Sequence, residues 1–318
     1  MVWLYIGIIL CMRVVQSVFS KQAANHVPSN MIGYIKYTVF YQGMAAVLAL
    51  ALFLIGQIGG EATPEVGTTL LYAAISGIAL AVCCMCSLYA LGTGTMVLNS
   101  IFGTAGLLIP TIASMLLYDE VLHIWQWLGI AVFIVGAYLL IGNSKAIYGR
   151  FTWKTFLVLL LSLVTNGLTM FMQKMFGMNI ANGNVSLFSF GSFASGVAVL
   201  LIVLVVLSLY AARHPAPPEQ SADSGSFTFL PAHPSDTGLP RQLFLYGSLL
   251  AIAVFIINQL ATMATPLISA VVLFALINGG ATVVSAIVGA VMFREKLSAQ
   301  TVIGILLSIG SLIVIQMA

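Results

Sequence analysis

Arg13 is the residue whose type and position demand a chemical explanation. It interrupts an otherwise apolar run that begins at Val2, about eleven residues in, which is roughly 16 Å along a helix at 1.5 Å per residue. If the run spans a bilayer, the guanidinium lies near the midplane, where a cation is costly and is by default a functional candidate. Arg13, Gln16, Ser17 and Ser20 recur at i, i+3, i+4 and i+7 and so share one helix face. A planar fork of N–H donors at that depth suits a carboxylate or phosphate.

Other intramembrane polar residues join this stripe. Displaced by 153 positions, the same pattern reads Asn166, Thr169 and Gln173. A later segment carries Asn258, Gln259 and Thr262, whose counterparts 175 positions earlier are Cys83, Cys84 and Ser87. Asn99 stands in another segment, and Asn278 precedes Gly279-Gly280, where missing side chains allow close backbone approach or a break. The candidate substrate-binding set is therefore Arg13, Gln16, Asn99, Asn166, Thr169, Asn258, Gln259 and Asn278. For any single amide or hydroxyl the alternative is helix-to-helix glue at about 0.6 kcal/mol per bond. A mid-membrane arginine is harder to explain that way.

The acids are informative through where they are absent. Glu61, Glu65, Asp119, Glu120, Glu219, Asp223, Asp236 and Glu295 all fall in loops or at helix ends, and no histidine is placed mid-membrane. A proton-coupled exporter of cations needs a buried carboxylate, whereas this chain has an arginine, which cannot shuttle a proton. An anionic solute follows. Coupling would have to use Glu120, Glu295 or His123, or an exchanged counter-substrate.

Composition names the solvent these residues face. With 61% hydrophobic and only 6% charged residues, the chain departs from soluble domains, which are about 25% charged. Ten segments approach the roughly 20 apolar residues that a spanning helix needs. They lie near 2–22, 32–56, 68–91, 94–117, 123–142, 154–176, 185–211, 241–262, 266–292 and 298–317, with a kink expected at Pro110. Arg13 and the lack of a basic leader argue against reading the first segment as a cleaved signal. The net charge of +3 forms no basic run of the kind that binds nucleic acid. Cys83, Cys84 and Cys86 invite a soft-metal reading, but Cys84 points away from the other two and small apolar filler explains them better, so no metal or cofactor is expected. The sequon Asn184-Val-Ser186 sits too close to a helix start to carry weight.

The chain also repeats itself. Tyr118 to Gly142 reappears as Phe293 to Gln316, with Glu120 over Glu295, Leu122 over Leu297 and Gly129 over Gly304. Phe19-Ser-Lys21 matches Met172-Gln-Lys174 at the shorter offset, so the second half carries an insertion, the Pro-rich stretch at about 213–240, which is expected to be a disordered tether. Halves of five helices, 1–142 and 143–318, enter the membrane from opposite sides, so the fold class expected is an all-α integral membrane protein with ten transmembrane helices as two inverted five-helix repeats. Let X be the side reached by the end of the first helix and Y the other. Lys21, Lys36, Lys145, Arg150, Lys154, Arg213, Arg241, Arg294 and Lys296 gather at X, while Y has Lys174 with Glu61, Glu65, Asp119 and Glu120. The positive-inside rule makes X cytoplasmic and both termini external. The same symmetry places Lys21 with Glu295 at X and Lys174 with Glu120 at Y, two candidate gate ion pairs. The alternative is that the lysines snorkel and the glutamates mark helix junctions.

The paired tails, each a Glu at a helix junction followed by an apolar helix with internal glycines, resemble the two EamA-type repeats of the drug/metabolite transporter superfamily, best over 96–142 and 266–316. The Lys closing the first helix fits too. The resemblance implies two inverted five-helix bundles around a central cavity, alternating access, and solutes as varied as amino acids, sugars, nucleotide sugars and drugs. Members more often keep both termini in the cytoplasm, opposite to the charge distribution of this chain.

The expected function is a secondary-active carrier in the plasma (inner) membrane for a small polar metabolite with an anionic group. The lipid bilayer and a small-molecule substrate are its partners, nucleic acid is not, and the oligomeric state is open, a monomer included. A broad-specificity drug or amino-acid exporter is one alternative and an inverted-repeat channel another. Paired aspartates, a Ser-His pair or a metal cluster would argue for an intramembrane enzyme, and none is legible.

Overall fold

A computed structural model describes residues 2–28, 30–93, 102–140, 152–213, 240–292 and 299–317. Among them the chain is helical and has no strand. The helices are α1 (Val2–Ala24), α2 (Met31–Ile58), α3 (Val66–Thr93), α4 (Leu108–Tyr118), α5 (Ile124–Leu140), α6 (Trp153–Asn179), α7 (Val185–Arg213), α8 (Arg241–Ala264), α9 (Ala270–Phe274), α10 (Gly280–Met292) and α11 (Ala299–Met317). A π-helical turn, Ala275–Gly279, joins α9 to α10. Helix is what such a sequence must form in lipid, because only intra-segment bonding satisfies every backbone N–H and C=O where no water can.

Six helices are long and apolar enough to cross a membrane: α1, α2, α3, α6, α7 and α8. Their outward faces carry exposed Val47, Ile55, Ile202, Val205 and Leu245, as a lipid-facing surface requires. The remaining expected segments are shorter or broken. Regular helix in the fourth is interrupted at Gly106–Leu107, one turn before Pro110. Proline has no N–H to give the Gly106 carbonyl, which accepts from Ile109 N at 3.1 Å instead. The ninth segment is divided by the π turn, α5 has 17 residues and α11 has 19. The insertion expected to be a tether lies outside the described residues.

Helix ends use side-chain caps. Asn30 Oδ1 accepts from Gly33 N at 2.8 Å, and Thr152 Oγ1 from Thr155 N at 3.2 Å. The sequon residue Asn184 is buried and accepts from Leu187 N at 3.0 Å at the start of α7, while donating to Glu61 Oε2 at 3.3 Å. Its side chain is thus committed to a cap. Asp119, at φ 52°, ends α4 in the left-handed region and turns the chain toward Glu120.

The packing has a recurring pattern. α1 packs on α8 and α10, and α6 packs on α3 and α4; α2 packs on α7 and α8, and α7 on α2 and α3; α5 packs on α11. Glycine permits the closest of these approaches. A Cβ at Gly77 in α3 would run into the Ser192 carbonyl and the Ser195 hydroxyl of α7. The largest apolar cluster, including Ile9, Phe133, Met170, Ile257, Phe274 and Ile277, surrounds the π turn. It supports the cavity described next.

Candidate functional site

Arg13, in the middle of α1, lines a cavity of about 240 Å3 to which α1, α2, α3, α6, α7, α8, α9 and the π turn contribute residues. Its Nη1 donates to Gln16 Oε1 at 2.8 Å, and its Nε is buried without a hydrogen-bond partner. Among the described residues no Asp, Glu, Lys or His lines the cavity. The guanidinium, which stays charged at physiological pH, therefore has no acidic partner among them and keeps its Nε free to donate.

Four more of the expected residues line the same space beside Arg13 and Gln16: Asn166, Thr169, Asn258 and Asn278. Each is also tied to structure. Asn166 Nδ2 donates to the Gly103 carbonyl at 2.6 Å, satisfying an acceptor beside the break in the fourth segment. Thr169 Oγ1 bonds the Thr165 carbonyl at 3.1 Å and reaches Ser76 O at 3.4 Å. Asn258 Oδ1 accepts from Ser189 Oγ at 3.0 Å. Asn278, within the π turn, donates to the Phe274 carbonyl at 3.1 Å. Single π turns inside helices are often found at functional sites, because they re-aim side chains that a regular helix would bury.

Gln259 is placed differently. Its Nε2 donates to Ser186 Oγ at 2.7 Å and its Oε1 lies 2.9 Å from Ser189 Oγ, sharing that hydroxyl's one proton with Asn258 Oδ1, so it ties α8 to α7 away from the cavity lining. Neighbouring helix positions point about 100° apart, and only Asn258 of this pair turns inward. Asn99 and Glu295 lie outside the described residues, so neither Asn99 nor the Lys21–Glu295 pair can be placed. Lys21 itself stands in the last turn of α1.

Tyr41, Gln42 and Cys84 line the cavity in addition. Gln42 is buried and its Nε2 donates to Cys84 Sγ at 3.6 Å. As an amide in the middle of an apolar helix, Gln42 carries the same signal that marks Asn166. Tyr41 carries none, since an aromatic residue in an apolar run reads as core.

One residue beyond Gln173, toward the Y end of α6, stands an ion pair. Lys174 Nζ lies 2.6 Å from Glu120 Oε1, with side-chain exposures of 2% and 17%. The same ammonium donates to the carbonyls of Thr265 at 3.0 Å and Ile268 at 3.1 Å, so all three of its protons are used. Glu120 Oε2 accepts from Ala270 N at 3.0 Å. The pair thereby grips the 265–270 connection between α8 and α9 through three backbone groups. Alongside it, Tyr118 Oη bonds Met175 Sδ at 2.9 Å and Asn179 Oδ1 at 3.0 Å, tying the end of α4 to α6. Gly177 lets Thr265 come in close, since a Cβ there would collide with the Thr265 hydroxyl.

No protein-family model and no curated protein matches the chain. A solved structure described as "Crystal structure of protein" is similar, with a TM-score of 0.71 at 14% identity over 98% of this chain and 94% of that one. At such identity the likeness is one of fold alone.

Proposed function

We propose that this chain is a secondary-active carrier of a small solute bearing an anionic group, working by alternating access. Its architecture, in this reading, is ten spanning helices in two inverted five-helix halves, 1–142 and 143–318, of the EamA type in the drug/metabolite transporter superfamily. The helix pairing supports the repeat. Exchanging α1 with α6, α2 with α7, α3 with α8, α4 with α9–α10 and α5 with α11 maps the main packing pairs described above onto one another. The single observation that carries the function is Arg13, a guanidinium at mid-helix depth lining a cavity that holds no acidic side chain among the described residues.

The Y closure supplies the second element that alternating access needs. Lys174 and Glu120 ride on elements bonded to each other through Tyr118, whereas their backbone partners belong to the connection that follows α8, the helix that packs on α1. Opening at Y then keeps the ion pair and releases the 265–270 connection. Lys21 and Glu295 would serve X in the equivalent way. X is cytoplasmic in this reading and the protein sits in the plasma membrane.

Saturable counterflow of an anionic solute in proteoliposomes, lost in Arg13→Gln, tests the carrier. Unitary currents without counterflow would make it a channel and refute the proposal. Arg13→Lys should keep part of the function, because an ammonium replaces a planar fork.

A further inference from the structure

Resting on the carrier reading above, we infer that the cavity selects an apolar monoanion: one carboxylate on a compact aryl or branched aliphatic body. Three features of the lining lead there. The first is charge. Among the described residues Arg13 is the one charged residue lining the cavity, and Lys174 beyond it is already engaged by Glu120 and two carbonyls. A single carboxylate balances Arg13, whereas the second negative charge of a sugar phosphate would find no cation.

The second feature is the lack of a counter-charge for a cation. The ammonium of a zwitterion would need a carboxylate beside a fixed positive charge. Among the described residues no carboxylate lines the cavity, and the buried, unpartnered acceptor it does offer, Gln42 Oε1, is a neutral amide oxygen. Arg13 Nε is likewise buried without a partner among the described residues and is free to meet an anion. A ligand whose one charge is negative matches that lining.

The third feature is the apolar share of the lining. α1 and α6 contribute five of its polar side chains, while Leu80, Phe193, Val254, Ile257 and Phe274 contribute apolar surface from α3, α7, α8 and α9. Hydroxyls of a sugar would be left unpaired against these side chains. The volume of about 240 Å3 also lies below the 300–1,000 Å3 or so of pockets for drug-sized ligands, so a nucleotide sugar is too large and a phenyl or branched chain is not.

A matched series tests this on the purified full-length chain by calorimetry and thermal shift: 3-phenylpropionate, phenylalanine, phenethylamine and glucose 6-phosphate, with 4-methylpentanoate as the branched analogue. The expected result is that a carboxylate acid of the series binds at least about tenfold more tightly than phenylalanine, and that phenethylamine and glucose 6-phosphate do not bind. Arg13→Gln should weaken the acid about tenfold or more, Arg13→Lys less so, and Phe193→Ala should weaken it without admitting glucose 6-phosphate. Phenylalanine or glucose 6-phosphate binding as tightly as both acids overturns the inference, and loss of that binding in Arg13→Gln leaves the anion reading standing. Failure of both acids to bind also overturns it. Binding of phenethylamine, or binding indifferent to both Arg13 variants, refutes the anion reading itself.

Discussion

Replacing Lys174 by methionine should tip the protein toward a state open at Y. The magnitude follows from which bonds differ between the two states. If Lys174 and Glu120 travel together, their ion pair is present on both sides of the equilibrium and cancels. The bonds lost on opening are those from Nζ to the Thr265 and Ile268 carbonyls, 3.0 and 3.1 Å long. Hydrogen bonds from charged groups contribute about 1.5–3 kcal/mol each. Water recovers part of this when the site opens, which leaves a net of about 2–3 kcal/mol, or roughly 30- to 150-fold in the closed-to-open ratio. Spin labels at Val121 and Leu267, two exposed positions flanking the contact, would report the two populations as short and long distances in pulsed electron spin resonance. A distance distribution in Lys174→Met identical to that of the parent, in a protein that still melts cooperatively, would refute the gate. Glu120→Gln separates the two ways of opening. If the pair itself broke, the two substitutions would couple strongly in a double-mutant cycle on the distance populations; if the pair stays intact, they should add to within about 0.5 kcal/mol.

Gly177→Ala should hold Y ajar and lengthen the same label distance, because the added methyl occupies the place of the Thr265 hydroxyl; an unchanged distance would show that the contact is dispensable. Asn166→Ala should lower stability by about 1–3 kcal/mol by leaving the Gly103 carbonyl without its donor, read from thermal melting alongside transport, and full stability would return Asn166 to a purely ligand-facing role. With X cytoplasmic, an impermeant maleimide applied to intact cells should label Gly67→Cys and spare Ser221→Cys and Ser298→Cys, the reverse pattern inverting the orientation. Deletion of 218–236 should leave folding and transport nearly intact, since the segment reads as a tether, and lost assembly would assign it a structural role.

Polar residues were legible because lipid makes them expensive, and the structure brings Arg13, Gln16, Asn166, Thr169, Asn258 and Asn278 into one cavity. The same rule cannot choose between Asn258 and Gln259, since a rotation of about 100° per residue sends one inward and the other toward α7 and a sequence leaves the phase of a largely apolar helix unset. Six long helices were legible from hydropathy alone. The breaks at Gly106–Leu107 and at Ala275–Gly279 carry weaker signals: Pro110 marks the first, and the glycine pair only hints at the second. Backbone acceptors left no trace at all. The partners of Lys174 include the carbonyls of Thr265 and Ile268, and a carbonyl belongs to every residue type.

That blind spot bears on how such a gate can work. An ion pair that had to separate at each opening would expose two bare charges in a region of 2% and 17% side-chain exposure, and breaking a buried pair costs about 3–5 kcal/mol. Gripping a backbone segment instead lets the charges keep each other while only neutral carbonyls and one amide are given up to water. In the proposed carrier, the Y end would thus be held by bonds strong enough to bias two states and weak enough to be reversed by binding one small solute. Arg13 sets the opposite condition. In the proposed carrier, an occluded cavity with no anion in it would enclose a guanidinium without a counter-charge among the described residues, so closure would be favoured when solute is bound and opposed when it is not. Net flux in the absence of solute on the far side should therefore be slower than exchange, and equal rates in proteoliposomes loaded with and without the transported anion would show that the Arg13 charge does not control the return step.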